Sequence, residues 1–253
     1  IKVNNLILLA RSFKNSTELF ILDNIIKDGF LVGDIKLNFD NNGKIKDDYE
    51  INGFIKGGKL DFFKKHHIDD LNFLFNIKNK KYYLQDIGGN FNKIRLSSQS
   101  VKIREKNNHF IIKGKFISDK KDISIKLLND LLENRFKDFS IEDVSFSSEN
   151  DFSFDLSKKL KINNFNLESI IDLKEFTYKN NLLDIKNYLP NFKDTIKLKE
   201  NKILINYKKD KLDIYGKGKI VLEDKIEFLE YQLIKKNNNY NFDTTIDINK
   251  SSL

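Results

Sequence analysis

Apolar and polar residues alternate with a period of two along most of the chain, which is the pattern of a strand that buries one face. Ile35, Leu37 and Phe39 alternate with Lys36 and Asn38. Leu71, Phe73, Phe75 and Ile77 repeat the rhythm, as do Val101 and Ile103. A longer run carries Leu212, Ile214, Gly216, Gly218, Ile220 and Leu222 on one side, with Asp213, Lys217, Lys219 and Glu223 on the other. Tyr240, Phe242, Thr244, Ile246 and Ile248 then alternate with Asn241, Asp243 and Asp247. Polar clusters punctuate these runs: Asn41-Asn42-Gly43, Gly88-Gly89-Asn90, Lys106-Asn107-Asn108, Lys208-Lys209-Asp210 and Asn237-Asn238-Asn239. Strands joined by such short turns form an antiparallel meander. The expected fold is mainly β, an extended, curled antiparallel sheet with a groove-like apolar face.

Two segments depart from this rhythm. Between 122 and 139 the apolar residues Ile123, Leu127, Leu128, Leu131, Leu132, Phe136 and Phe139 recur three and four apart, which predicts one amphipathic helix with Asp122 as its N-cap. From Thr17 to Gly29, Leu19, Leu22, Ile25 and Ile26 fit a helix face, and the run fits a strand equally well. Around Pro190, Leu182 to Phe192 reads as a loop or a single helical turn. It divides the chain into a β-rich segment 1–189, holding the helix, and a continuing sheet segment 190–253. Glycines recur in mid-strand surroundings at Ile55-Lys56-Gly57-Gly58, Ile112-Lys113-Gly114-Lys115 and Tyr215-Gly216-Lys217-Gly218. Glycine inside a strand marks a bulge or bend, so these repeats imply a sheet that curls regularly.

Composition narrows the chemistry. The 253 residues include no Cys, which excludes disulfides, thiolate metal sites and cysteine nucleophiles. Ala10 is the single alanine, whereas Phe occurs 22 times, a balance that disfavours a helical bundle. There is no Met, not even an initiator, and the chain starts at Ile1 in structured-looking sequence, so an internal piece of a longer protein is expected. The early apolar run Leu6 to Ala10 is too short for a signal-peptide core or a membrane span.

Charge adds less than its size suggests. Lys and Arg number 45 against 37 Asp and Glu, a net +8. Arginine occurs only at Arg11, Arg95, Arg104 and Arg135, so the planar fork that reads bases and clamps phosphates is scarce. Lysines also sit among acids, as in Lys208-Lys209-Asp210-Lys211. Solvated strand faces explain this best, with attraction to anionic lipid headgroups second and nucleic acid excluded as the main partner.

The candidate chemistry is thin. His66, His67, Asp69 and Asp70 supply N and O donors suited to a metal, but their setting reads as a solvated turn between two strands. His109 opens a strand after an Asn-Asn turn. No nucleophile elbow, phosphate-binding loop or His-Glu-x-x-His motif occurs, and the carboxylate pairs Asp47-Asp48 and Glu142-Asp143 lie in polar stretches. No enzyme activity, cofactor or metal is expected.

Five stretches carry a family resemblance: Gly33 to Phe39, Tyr49 to Gly58, Ile68 to Phe73, Leu84 to Phe91 and Phe110 to Lys115, with Lys202 to Ile248 repeating the cadence. Their succession resembles the AsmA-like family of bacterial envelope proteins. The resemblance implies a periplasmic protein held in the inner membrane by an anchor outside this segment, whose hydrophobic β-groove conducts phospholipids between the inner and outer membranes. On that reading the in-register apolar set Ile35, Leu37, Phe39, Leu71, Phe73, Phe75, Leu212, Ile214, Phe242 and Ile246 lines the groove against acyl chains. The alternative is a self-covered structural or adhesive module in which the same residues are plain core.

Overall fold

The computed structural model describes residues 1–249, apart from 14–16, 45, 47, 63–65, 80, 108, 124–139, 160, 180–194 and 223. Two short helices, α1 (Val3–Phe13) and α2 (Thr17–Ile25), precede the strands. These are β1 (Ile26–Lys36), β2 (Glu50–Phe62), β3 (His66–Lys78), β4 (Lys81–Phe91), β5 (Ile94–Lys106), β6 (His109–Ile123), β7 (Ser140–Ser157), β8 (Ile162–Lys179), β9 (Thr195–Lys208), β10 (Lys211–Leu222), β11 (Lys225–Lys236) and β12 (Asn239–Asp247). The strands are hydrogen-bonded in chain order as a twelve-stranded antiparallel meander, so the expected mainly β fold is observed.

Two-residue connections impose this order. β3–β4, β4–β5, β5–β6, β9–β10, β10–β11 and β11–β12 are each joined by two residues. Such turns need left-handed backbone, which Asn and Asp tolerate best after Gly. Asn79, Asn92, Asn107, Asp210, Asp224 and Asn237 all take positive φ, between 44° and 66°. The heavy use of Asn is therefore a folding instruction as well as a compositional bias.

The chain forms two compact units, Ile1–Ile117 with Asp151–Phe165, and Ser118–Asn150 with Asn166–Leu253. In the first, Ile35 pairs with Ile51, Ile51 with Ile77, Ile77 with Tyr82 and Tyr82 with Ile103. Directly opposed residues share a face, so this row is one line of an apolar surface. Gly33, Gly53, Phe75, Leu84 and Val101 form the next line by the same pairing. The opposite face carries the polar rows Asp34, Asn52, Asn76, Tyr83, Lys102 and Lys36, Glu50, Lys78, Lys81, Arg104, with Val32, Phe54 and Leu74 exposed beside them. In α1, Val3 and Ile7 are buried. Val3 comes within 3.6 Å of the position a Cβ on Gly29 would occupy, where the backbones of Gly29 and Gly58 approach closely.

A line of bulges crosses this unit. Gly57, Asp70 and Asp86 take φ of 60°, 50° and 50°, and the pairings of β2 with β3 and of β3 with β4 slip beside them. Asn72 stitches two bulges together: its amide donates to the Asp70 carbonyl at 2.7 Å, and its Oδ1 accepts from Gly57 N–H at 3.0 Å. Each bulge increases local twist, so an aligned series bends the strands along one line.

In the second unit, Ser169, Ile205, Ile214, Leu233 and Phe242 form one row, and Ile171, Ile203, Gly216, Tyr231 and Thr244 form the next. Its core is two small clusters: Ile220, Leu222 and Leu229 against Ile196, Leu198 and Tyr231, and Val144 and Leu173 against Phe146, Phe176, Tyr178 and Ile203. A bulge at Glu200, φ 50°, places Asn201 in the interior at 1% exposure. The Asn201 amide donates to the carbonyls of Lys199 at 2.9 Å and Lys219 at 3.0 Å. Gly218 leaves room for it, since a Cβ there would lie 2.6 Å from the Asn201 Cα.

Several local expectations are revised. Gly88-Gly89-Asn90 is not a turn but part of β4, and the turn falls at Asn92-Lys93. The small residues there accommodate neighbouring side chains, with Ile68 3.1 Å from a Cβ position on Gly89. His66 and His67 begin β3 rather than occupying a turn. The run from Thr17 is helix through Ile25 and strand from Ile26. Leu6 to Ala10 lies inside α1, a helix the alternation did not announce. Asp122 is an exposed residue near the end of β6, so it is not an N-cap, while the rest of the expected helix lies outside the described residues. Most of the Leu182 to Phe192 segment, Pro190 included, also lies outside them. Of the mid-strand glycines, Gly57 sits at a bulge, whereas Gly114 and Gly216 are small because aromatic rings occupy the space beside them.

Candidate functional site

The apolar face of each unit is the surface with functional potential. In the first unit, Leu71, Phe73 and Phe75 lie on β3 and Ile35 on β1, on one face. Leu71 and Phe75 are buried, Phe73 is half-buried and Ile35 is 58% exposed. β1 ends at Lys36, so Leu37 and Phe39 fall beyond it, exposed, in the connection to β2. There Asp40 Oδ1 accepts from the backbone N–H groups of Asn42 at 2.8 Å and Lys44 at 2.9 Å, which forms the turn expected at Asn41-Asn42-Gly43. In the second unit, Leu212 and Ile214 on β10 are half-buried, and Phe242 and Ile246 on β12 are exposed on the same face.

The sequence-based set omitted an aromatic ribbon in the first unit. Tyr82 meets Phe110 edge-on at 6.3 Å, Phe116 stacks on Phe152 at 4.9 Å, Phe152 lies 6.0 Å from Phe154, and Phe154 6.4 Å from Phe165. A Cβ on Gly114 would touch both Val101 and Phe152, which places these rings on the apolar face. Their alternation at Phe152, Phe154 and Leu156 was the available signal.

Coverage of these faces is partial. Ile35, Phe242 and Ile246 are exposed on them, whereas Leu71, Phe75, Val101 and Leu229 are buried. The helices α1 and α2 are the described elements outside the sheet. Side-by-side packing within a single layer leaves apolar side chains half-exposed, and each CH₂ brought against them gains about 0.8 kcal/mol.

The polar faces hold several close ion pairs. Lys78 contacts Glu50 at 3.2 Å, and Lys197 with Glu175 and Lys219 with Glu200 form close ion pairs. Hydrogen bonds from Asn52 and Lys78 hold the Glu50 carboxyl below its ordinary value of 4.5, and the lysine partners do the same for Glu175 and Glu200. The hydrogen bond from Tyr215 to Glu230, at 2.8 Å, raises the phenol, and burial raises that of Tyr231.

The histidine cluster is tied into the sheet. His66 Nδ1 lies 3.0 Å from the Asn92 amide and its ring 5.5 Å from Phe91. His67 Nε2 stands 4.0 Å from Asp69, whose carboxylate also meets Lys59 at 3.5 Å. Among the described residues no three His, Cys, Asp or Glu side chains gather as a metal site, and no helix is long and apolar enough to cross a membrane. No family model, curated protein or solved structure matches the chain.

Proposed function

We propose that the apolar sheet face binds phospholipid acyl chains, and that the chain is a lipid-conducting segment of a bacterial envelope protein of the AsmA-like kind. The observation that carries this reading is that Ile35 on β1 and Phe242 and Ile246 on β12 stay exposed on the apolar face, while the described residues outside the sheet form only two short helices. A closed sandwich of this length would bury that face against a second layer. Acyl chains need no specific hydrogen bonds, in keeping with a face built from Ile, Leu and Phe. The periplasm is the proposed compartment, with an inner-membrane anchor outside this segment.

The test is native mass spectrometry of the chain purified from a bacterial host without detergent. Phospholipid adducts removed by Ile35→Asn or Phe242→Asn, exposed positions whose substitution should retain the melting transition, support the reading. A lipid-free protein would favour a self-covered structural or adhesive module.

A further inference from the structure

The polar face of the first unit carries a second feature, independent of the acyl-chain reading. Lys81, Lys102, Arg104 and Lys113 line a shallow depression of about 220 Å³ together with Tyr83, Ile103 and Ile111. Lys81 lies directly opposite Arg104, and Tyr83 opposite Lys102, on β4 and β5. Like charges directly opposed across strands, as Lys81 and Arg104 are, destabilise a sheet. None of the four cations forms an ion pair with a described residue.

The opposed cations of β9 and β10 have acids beside them. Lys202 and Lys217 are also opposed, but Asp172 and Glu230 flank them in the same row. Lys208 and Lys211 are opposed at a hairpin end, where Asp213 stands 3.8 Å from Lys211. Arg11 pairs with Asp23, and Arg95 lies 3.6 Å from Asp70, which leaves Arg104 the one described arginine without an acid. The carboxylate in Arg104's own row, Glu50, is already bound to Lys78 and Asn52.

We propose that Lys81, Lys102, Arg104 and Lys113 form a binding site for a phosphate group, with the Tyr83 hydroxyl as a further donor. Arg104 supplies a planar fork able to bond two phosphate oxygens, and the lysines add point charge around it. A bound dianion or monoanion relieves the repulsion that the empty cluster builds into β4 and β5. The phosphate belongs either to a lipid headgroup or to a small soluble ester, since both present the same oxygens.

The experiment compares the intact chain, a Lys102→Gln/Arg104→Gln variant and a charge-matched Lys208→Gln/Lys236→Gln control. Flotation with phosphatidylglycerol vesicles reports the headgroup source, with phosphatidylcholine vesicles as the neutral reference. Titration with sn-glycerol 3-phosphate reports the soluble source. Each lost cation is expected to weaken vesicle binding about fivefold, so the site variant falls about 25-fold. The control falls far less, because its lysines are not part of the site. Removing opposed cations is also expected to leave the melting temperature of the site variant unchanged or raised, which separates lost binding from lost folding. Selective loss in the vesicle arm assigns a headgroup, and selective loss in the soluble arm assigns a small ester. Equal losses in the site variant and the control would reduce the effect to net charge and overturn the proposal, as would failure of the intact chain to bind either ligand.

Discussion

The two units share one design rule, an alternating meander, and apply it differently. In the first unit Val3 and Ile7 of α1 are buried, Val3 beside Gly29 of β1, and a line of bulges stitched by Asn72 crosses the sheet. In the second the described core is made by strands alone, around Ile220, Leu222 and Leu229, and one bulge is filled by the buried Asn201. The polar faces differ as well: acids partner lysines on β9 and β10, whereas Lys81, Lys102 and Arg104 on β4 and β5 form no ion pair with a described residue. Backbone alternation thus sets the sheet, while helix cover, bulge filling and charge pairing are local additions that can be altered separately.

The largest expected effect comes from filling space in the second unit. A Cβ on Gly216 would collide with the Tyr231 ring, so Gly216→Val should cost about 3 kcal/mol by chemical denaturation. Next, Leu222→Ala should destabilise by about 2–3 kcal/mol through loss of a strand-only cluster. Ile7→Ala should cost about 2 kcal/mol by loosening α1 from the first unit, and amide exchange should show its protection loss confined to that unit. An Ile7 substitution that opened both units equally would break the comparison.

A smaller difference separates the two bulge asparagines. Asn201→Ala removes a buried amide that serves two carbonyls and should cost about 1–2 kcal/mol, against about 1 kcal/mol or less for Asn72→Ala at the half-buried stitch. The smallest effect is electrostatic. The carboxyls of Glu50, Glu175 and Glu200 are depressed in the fold, so their contribution is present above the ordinary 4.5 and is lost as pH falls through the lower folded values. The melting temperature should therefore decline below about pH 4.5, and Glu200→Gln should flatten that decline slightly.

Much of this architecture was written in the alternation. The runs at Leu71 to Ile77 and Leu212 to Leu222 appear as β3 and β10, because a buried face admits only one register parity. Turn chemistry was partly legible: Asn107 and Lys209-Asp210 form the expected hairpins, but Gly88-Gly89 carried a turn signal for a packing reason. The bulges at Asp70, Asp86 and Glu200 were hidden, since an acidic residue in left-handed conformation leaves no mark in a single sequence. α1 was missed because its apolar residues cluster in the continuous run Leu6 to Ala10 rather than in a spaced stripe, so that Leu8 and Leu9 are exposed while Val3 and Ile7 are buried. The aromatic ribbon escaped because rings from β4, β6, β7 and β8 become neighbours only through the meander.

The central claim is that the apolar face is open to acyl chains, and its most direct measurement is titration of the intact chain with a fluorescent fatty acid. Saturable binding, weakened several-fold by Ile35→Asn in the first unit and by Phe242→Asn in the second, is the predicted result, because both side chains are exposed on the apolar face and neither substitution removes core. A folded protein that takes up no fatty acid, or binding indifferent to both substitutions, would contradict it.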